Sequence, residues 1–238
     1  MTNIVLVAGT FHGGWYWDPI VQALQAAGHA VYAPTLSGLD PEVRPGELIN
    51  LDTHINDVLK VIDENQLEEV MLVGWSYGGM AITGIADRTK AKVVKLVYLD
   101  GQLPMPGQNE WSLMPALDRE SMIASCFDGV NVYPDPWIVQ HEPRVQPFPL
   151  GAKLQPLDYE KSKFDQLDKV FVFAEKWFHN PSEASRIEPS YVRAKSGIGW
   201  RVQSWPFGHD LVREAPNDVT DLLLAEAPSI YARRIAVA

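Results

Sequence analysis

In the stretch "VGWSYGGM", residues 73–80, Ser76 stands between Gly74 and Gly78, each two positions away. The run before it, "EVMLV", reads as a strand, and the run after it, "GMAITGIADR", reads as a helix with small residues at its start. A serine on such a strand-to-helix turn sits in a strained reversal, and the flanking glycines remove side chains that would collide there. That turn exposes Oγ above the C-terminal edge of the sheet and aims the N–H of Tyr77 at an incoming carbonyl oxygen. The chemistry is nucleophilic attack on a carbonyl. An ordinary glycine turn is the alternative, and the strand and helix on either side favour the nucleophile.

A serine hydroxyl is a weak nucleophile near neutral pH and needs a base beside it. Of the six histidines, His209 in "WPFGHDLVREAP" follows the last expected strand and precedes the last expected helix. A loop there can carry an imidazole over the sheet edge. His29 is expected at the far edge of the sheet and His54 on the polar side of a helix. His141 and His179 lie in or beside irregular segments, and His12 reads as a structural histidine holding the first loop. The base is His209.

An acid must fix the tautomer of that histidine and stabilise the imidazolium. Asp100 ends "VVKLVYLD", the strand after the serine strand, and Glu175 follows "KVFVFA" one strand further on. Asp100 is favoured, with Glu175 as the alternative. The order Ser76, Asp100, His209 is the one this kind of fold uses. A second oxyanion donor is expected from "VAGTFHGGWYW", where Gly9 lets the backbone approach a ligand. The N–H of Thr10, with or without that of Phe11, is the candidate beside Tyr77.

These residues need a rigid frame. Short apolar runs at 3–7, 30–33, 69–74, 93–100, 169–174 and 200–205 alternate with helical segments near 15–27, 52–65, 78–88, 181–195 and 215–227. In the second helix, Ile55, Val58, Leu59 and Ile62 share one face. Near-continuous apolarity in several strands implies burial on both faces. The class is α/β, a mostly parallel, doubly wound sheet within one domain spanning 1–238.

Residues 102–168 break this rhythm with prolines and aromatics ("LPMPGQNEW", "VYPDPWIVQHEPRVQPFPLG") and show no clear strand. Prolines at this density exclude long helices. The segment reads as an inserted helical lid of short helices and turns. Trp111, Met114, Phe127 and Trp137, with Phe11 from the first loop, are candidate substrate contacts, although the lid aromatics could equally pack the lid onto the body.

Composition narrows the function further. Twenty Lys+Arg against 30 Asp+Glu give a formal charge of −10, with no basic cluster to follow a nucleic acid. The single cysteine, Cys126, cannot form an internal disulfide. The start, "MTNIVLVAGT", reads as a first strand rather than a signal peptide, and no apolar run reaches the roughly 18 residues that span a bilayer. A cytoplasmic protein is expected, without metal or other cofactor, and with a homodimer left open.

Taken together, "NIVLVAGTFHGGWYWDPIVQALQAAGHAVYAPTLSGLD", "VMLVGWSYGGMAITGIADR", "VVKLVYLDGQLPMPGQ" and "GWRVQSWPFGHD" resemble the α/β-hydrolase family of bacterial esterases related to plant methylesterases and hydroxynitrile lyases. The resemblance covers most of the chain and is weakest in the lid. It implies ester hydrolysis with Ser76 as nucleophile, His209 as base, and the Thr10 and Tyr77 N–H groups as oxyanion hole. Family members usually carry His-Gly where this chain has Ala8-Gly9. Many place the acid after the strand matching 170–174, where "AEKWFHNP" has no aspartate. Related lactone hydrolases use an acid after the preceding strand, which supports Asp100. The lyases need a lysine beside the catalytic histidine, and here that neighbour is Asp210.

The expected activity is cofactor-free hydrolysis of an apolar small-molecule carboxylic ester through an acyl-enzyme. A lactonase or methylesterase acting on a secondary metabolite is the nearest alternative. A hydroxynitrile-lyase-like enzyme and a non-catalytic binding protein on a hydrolase scaffold stand further off.

Overall fold

The computed structural model describes residues 1–41, 48–176 and 186–227. In chain order its elements are β1 (Asn3–Val7), a 3-10 turn (Gly14–Trp17), α1 (Asp18–Ala26), β2 (Ala30–Tyr32), α2 (Leu51–Glu64), β3 (Glu69–Trp75), α3 (Gly78–Arg88) and β4 (Lys92–Leu99). There follow α4 (Glu110–Leu113), α5 (Ala116–Ala124), β5 (Asn131–Val132), α6 (Pro136–His141), β6 (Phe148–Pro149), α7 (Leu150–Leu154) and α8 (Lys161–Asp165). The chain then forms β7 (Lys169–Ala174), α9 (Glu188–Ser196), β8 (Trp200–Trp205), α10 (Leu211–Glu214) and α11 (Pro216–Glu226).

Six strands form one sheet in the order β2-β1-β3-β4-β7-β8, and every neighbouring pair is parallel. Side chains alternate across it. Ile4 and Leu6 of β1 pack with Ile20, Leu24 and Val219 from α1 and α11. Val5 and Val7 face the other way, onto Ile55 and Val58 of α2 and Met80 and Ile82 of α3. β7 is buried along its whole length, as a central parallel strand must be. β8, at the edge, alternates between partly buried and exposed residues.

The strand order creates the place for a site. From β1 the chain steps outward to β2, then returns past β1 to β3, so β1 and β3 are neighbours whose crossovers run in opposite directions. In open α/β sheets, ligands bind beyond the C-terminal ends of strands at this reversal. Ser76 follows β3, and Thr10 follows β1.

The six strands coincide with the runs expected from sequence to within a residue or two, and four of the five long helices do so nearly as well. The expected helix at 181–195 is seen as α9 from Glu188, and residues 181–185 lie outside the described residues, as do His179 and the tail at 230–238. α2 starts where it does because Asn50 and Thr53 form a reciprocal capping box.

Two local expectations are corrected. His54 is fully buried rather than on a polar face, because its ring is satisfied on both sides: Nε2 donates to the Ser37 carbonyl at 2.9 Å, leaving Nδ1 to accept from Tyr77 Oη at 2.9 Å. Residues 102–168 do contain strands. β5 and β6 pair antiparallel, Val132 opposite Phe148, after Asp128 accepts hydrogen bonds from the Val130 and Asn131 N–H groups and turns the chain through Gly129 at φ 73°. Two-residue strands are too short to show a period in sequence. Among the described residues, no helix is long and apolar enough to cross a membrane.

Candidate active site

The turn around Ser76 is built by steric exclusion. Ser76 takes φ 55°, in the left-handed region that costs a non-glycine residue free energy. A Cβ on Gly74 would lie 2.5 Å from the Gly78 carbonyl, and one on Gly78 would strike the carbonyl of Val7 in β1. A Cβ on Gly9 would lie 2.8 Å from that of Ser76 and 2.9 Å from the Trp75 ring. The loop after β1 therefore lies directly against the serine turn.

His209, in the loop between β8 and α10, reaches back over this turn. Its Nδ1 is 2.6 Å from Oδ2 of Asp100, and its Nε2 is 2.9 Å from Oγ of Ser76. A carboxylate can only accept, so Nδ1 carries the proton and Nε2 is left to accept from the serine hydroxyl. Asp100 is fully buried at the end of β4 with φ 43°, and its second oxygen accepts the Ala174 N–H at 3.1 Å. Glu175 is exposed in the turn after β7; the carboxylate that meets His209 is that of Asp100.

Trp75 braces the histidine. Its Nε1–H donates to the His209 carbonyl at 2.7 Å, and its ring stacks on Tyr16 with centroids 4.5 Å apart. Tyr16 Oη in turn donates to Asp210. Burial raises the Asp210 carboxyl from 3.8 to about 6, with Arg213 nearby opposing the rise.

Tyr77 follows Ser76 in the turn, and Thr10 follows Gly9, whose position lies against Ser76. The N–H groups of both make no hydrogen bond among the described residues. The Thr10 carbonyl accepts from His12 Nδ1 at 2.8 Å, and burial lowers the His12 imidazole from 6.5 to about 4, so it stands there as a neutral donor.

Ser76 and His209 open onto a cavity of about 720 Å³. Phe11, Met114 and Trp137 line it. Trp111 and Phe127 do not. Phe127 is 75% exposed and stacks at 4.1 Å on Tyr133, which does line the cavity, and Trp111 is engaged by Arg119, which donates to its carbonyl at 2.9 Å. The wall also holds residues that the sequence does not single out: Trp75, Gln102, Glu110, Glu142, Lys153 and Arg213. Trp75 could have been found from its place next to Ser76. Glu110 and Lys153 meet through the fold alone, 43 residues apart. Among the described residues, no group of three or more His, Cys, Asp or Glu side chains could hold a metal ion.

The family model described as "Alpha/beta hydrolase family" matches residues 4–235. The chain belongs to the alpha/beta hydrolase family. This hydrolase is 34% identical to the carbendazim hydrolyzing esterase of Nocardioides sp. (strain SG-4G), over 94% of this chain and 99% of that one. It is 41% identical to an alpha-hydroxynitrile lyase of Arabidopsis thaliana, over 43% of this chain and 40% of the lyase. Among solved structures, an extracellular alpha/beta-hydrolase from a Paenibacillus species superposes with a TM-score of 0.78 at 19% identity, covering 96% of this chain and 100% of that chain. At that identity the likeness speaks to the fold.

Proposed function

We propose that this hydrolase is a serine carboxylesterase acting on apolar small-molecule esters. The observation that carries the proposal is the hydrogen-bonded series Asp100–His209–Ser76 opening on the cavity lined by Phe11, Met114 and Trp137. The carbendazim hydrolyzing esterase, similar along almost its whole length, supports ester cleavage as the reaction class.

In this reading, Ser76 Oγ attacks the ester carbonyl as its proton passes to His209 Nε2. Asp100 holds the ring and stabilises the imidazolium. The Thr10 and Tyr77 N–H groups donate to the oxyanion, each worth about 2.7–4 kcal/mol in comparable sites. The leaving alkoxide takes the proton from Nε2, and an acyl-Ser76 intermediate remains. Water, deprotonated by the same nitrogen, attacks the acyl carbonyl, and the proton returns to Ser76 as the acid departs. No cofactor enters this cycle.

Cyanohydrin cleavage fits the site less well. Asp210 stands next to His209 as a carboxylate above pH about 6 and disfavours a departing cyanide anion.

The test is hydrolysis of p-nitrophenyl acetate and butyrate by wild type and Ser76→Ala, with mandelonitrile as a parallel substrate. Ester turnover that vanishes in the variant, without cyanide release by wild type, supports the reading. Equal ester turnover in both proteins, or cyanide release dependent on Ser76, refutes it. A panel of lactones and methyl esters then ranks substrates within the class.

A further inference from the structure

Lys153 is an unusual residue to find inside a cavity wall. Its side chain is 3% exposed and its ammonium uses all three protons: Oε1 and Oε2 of Glu110 accept at 2.8 and 2.9 Å, and Oγ1 of Thr10 accepts at 3.1 Å. Glu110 is as deeply buried, and its Oε1 also accepts from Gln102 Nε2 at 3.0 Å. The backbone N–H of Gln102 donates to the carbonyl of Ser76 at 2.9 Å. A continuous set of hydrogen bonds thus runs from the serine turn through Gln102, Glu110 and Lys153 to the side chain of Thr10. Every residue between its ends comes from the segment between β4 and β7.

A buried ion pair is a poor device for stability, because desolvation of two charges offsets their attraction and well-packed apolar residues usually do as well. The Lys153–Glu110 pair therefore calls for another role, and its contacts suggest one. The Thr10 carbonyl is held by His12 and its hydroxyl by Lys153, which leaves its N–H directed by two anchors. Gly9, one residue earlier, already lies against Ser76 and Trp75. A small rotation at Thr10 would move the N–H relative to the nucleophile.

We propose that Lys153, held by Glu110 and Gln102, is a positioning residue that fixes the Thr10 N–H in register with Ser76. The proposal rests on the reading of Ser76 as nucleophile and of Thr10 as oxyanion donor. It gives the segment between β4 and β7 a part in setting the geometry of the oxyanion hole, beyond covering the cavity. Lys153 touches no reacting atom and acts through Thr10.

The experiment compares kcat and KM for p-nitrophenyl acetate in wild type, Ser76→Ala, Thr10→Val, the pair Glu110→Leu/Lys153→Met, and all three of the latter substitutions together. Removing both charges avoids a bare buried ion. The expected result for the pair is a fall in kcat of about 100-fold with KM changed less than about threefold, the signature of lost transition-state geometry. Thr10→Val keeps the side-chain shape without the hydroxyl acceptor and should give a similar fall. The triple variant should lose little more than either, since all of them remove one linkage. Thr10→Val alone keeps the test decisive if the pair variant fails to fold.

Unchanged kcat in Thr10→Val or in a folded pair variant, or losses that multiply in the triple variant, would overturn the positioning role. Wild-type turnover that survives Ser76→Ala would instead overturn the hydrolase reading on which it rests.

Discussion

Asp100 Oδ2 lies 2.6 Å from Nδ1 of His209, although the two residues are 109 positions apart and on loops after different strands. The Asp100 backbone bends to φ 43° to achieve this, held by its own N–H donating to the Val172 carbonyl at 2.7 Å. Strained backbone retained at the end of a buried strand points to a placed carboxylate.

The first prediction follows from that contact. Asp100→Asn should lower kcat by about 10,000-fold while the protein stays folded, since an amide favours the wrong imidazole tautomer. Glu175→Gln should change kcat less than about twofold, as exposed substitutions away from the site usually do. Steady-state kinetics on one ester substrate compares the two, and the reverse ranking would exchange the acids.

A second prediction concerns pH. Burial lowers the His54 imidazole from 6.5 to about 4, so between those values the unfolded chain binds a proton that the folded chain does not. Stability from this group is complete above the unfolded pKa and is lost as pH falls through the window, by up to about 1.4 kcal/mol per pH unit. Urea unfolding of wild type and His54→Gln from pH 7.5 to 4.5 should give a shallower slope in the variant by about that amount. Parallel slopes would place the His54 ring in a more hydrated environment.

Glycine substitutions should separate by neighbour rather than by dihedral. Gly107 has φ 81° with nothing within 4 Å of an added Cβ, so Gly107→Ala should cost about 1–2 kcal/mol from backbone strain alone. In Gly78→Ala the methyl meets the backbone of Val7 and Ala8, which cannot rotate away. The destabilisation should exceed that of Gly107→Ala by more than about 1 kcal/mol, and chemical denaturation measures both.

The cavity wall makes a fourth prediction. Trp137 lines the cavity and Phe127 does not. For a longer acyl ester such as p-nitrophenyl butyrate, Trp137→Ala should raise KM by about fivefold, since truncating an apolar contact of this size weakens binding by roughly 1 kcal/mol. Phe127→Ala should leave KM within about twofold. Equal effects would mean that substrate reaches beyond the wall described.

Much of this molecule is legible in its sequence, for identifiable reasons. Runs such as "VMLV" and "VFVF" are buried on both faces, and continuous apolarity bounded by turn residues announces a parallel strand. Ser76 is visible because its turn demands Gly74 and Gly78, and His209 because the last loop of the sheet must pass over the same edge. The Lys153–Glu110 pair is invisible because its meaning lies in a contact between two short helices without periodicity. His54 misleads for a related reason: helical spacing puts it beside polar residues, while Tyr77 and the Ser37 carbonyl satisfy its ring inside the protein. Phe127 and Trp111 show the limit of reading aromatics in an irregular segment as cavity lining, since an aromatic side chain packs as readily on a neighbouring ring or cation.

The most direct test of the central claim is covalent capture of the nucleophile. Wild type, Ser76→Ala and His209→Ala would be treated with a fluorophosphonate, and the labelled peptide mapped by mass spectrometry. Our account predicts one adduct on Ser76 in wild type, none in Ser76→Ala, and labelling slowed by at least about 100-fold in His209→Ala, because the hydroxyl has lost its base. An adduct on another residue, or labelling of Ser76 at an unchanged rate without His209, would contradict it.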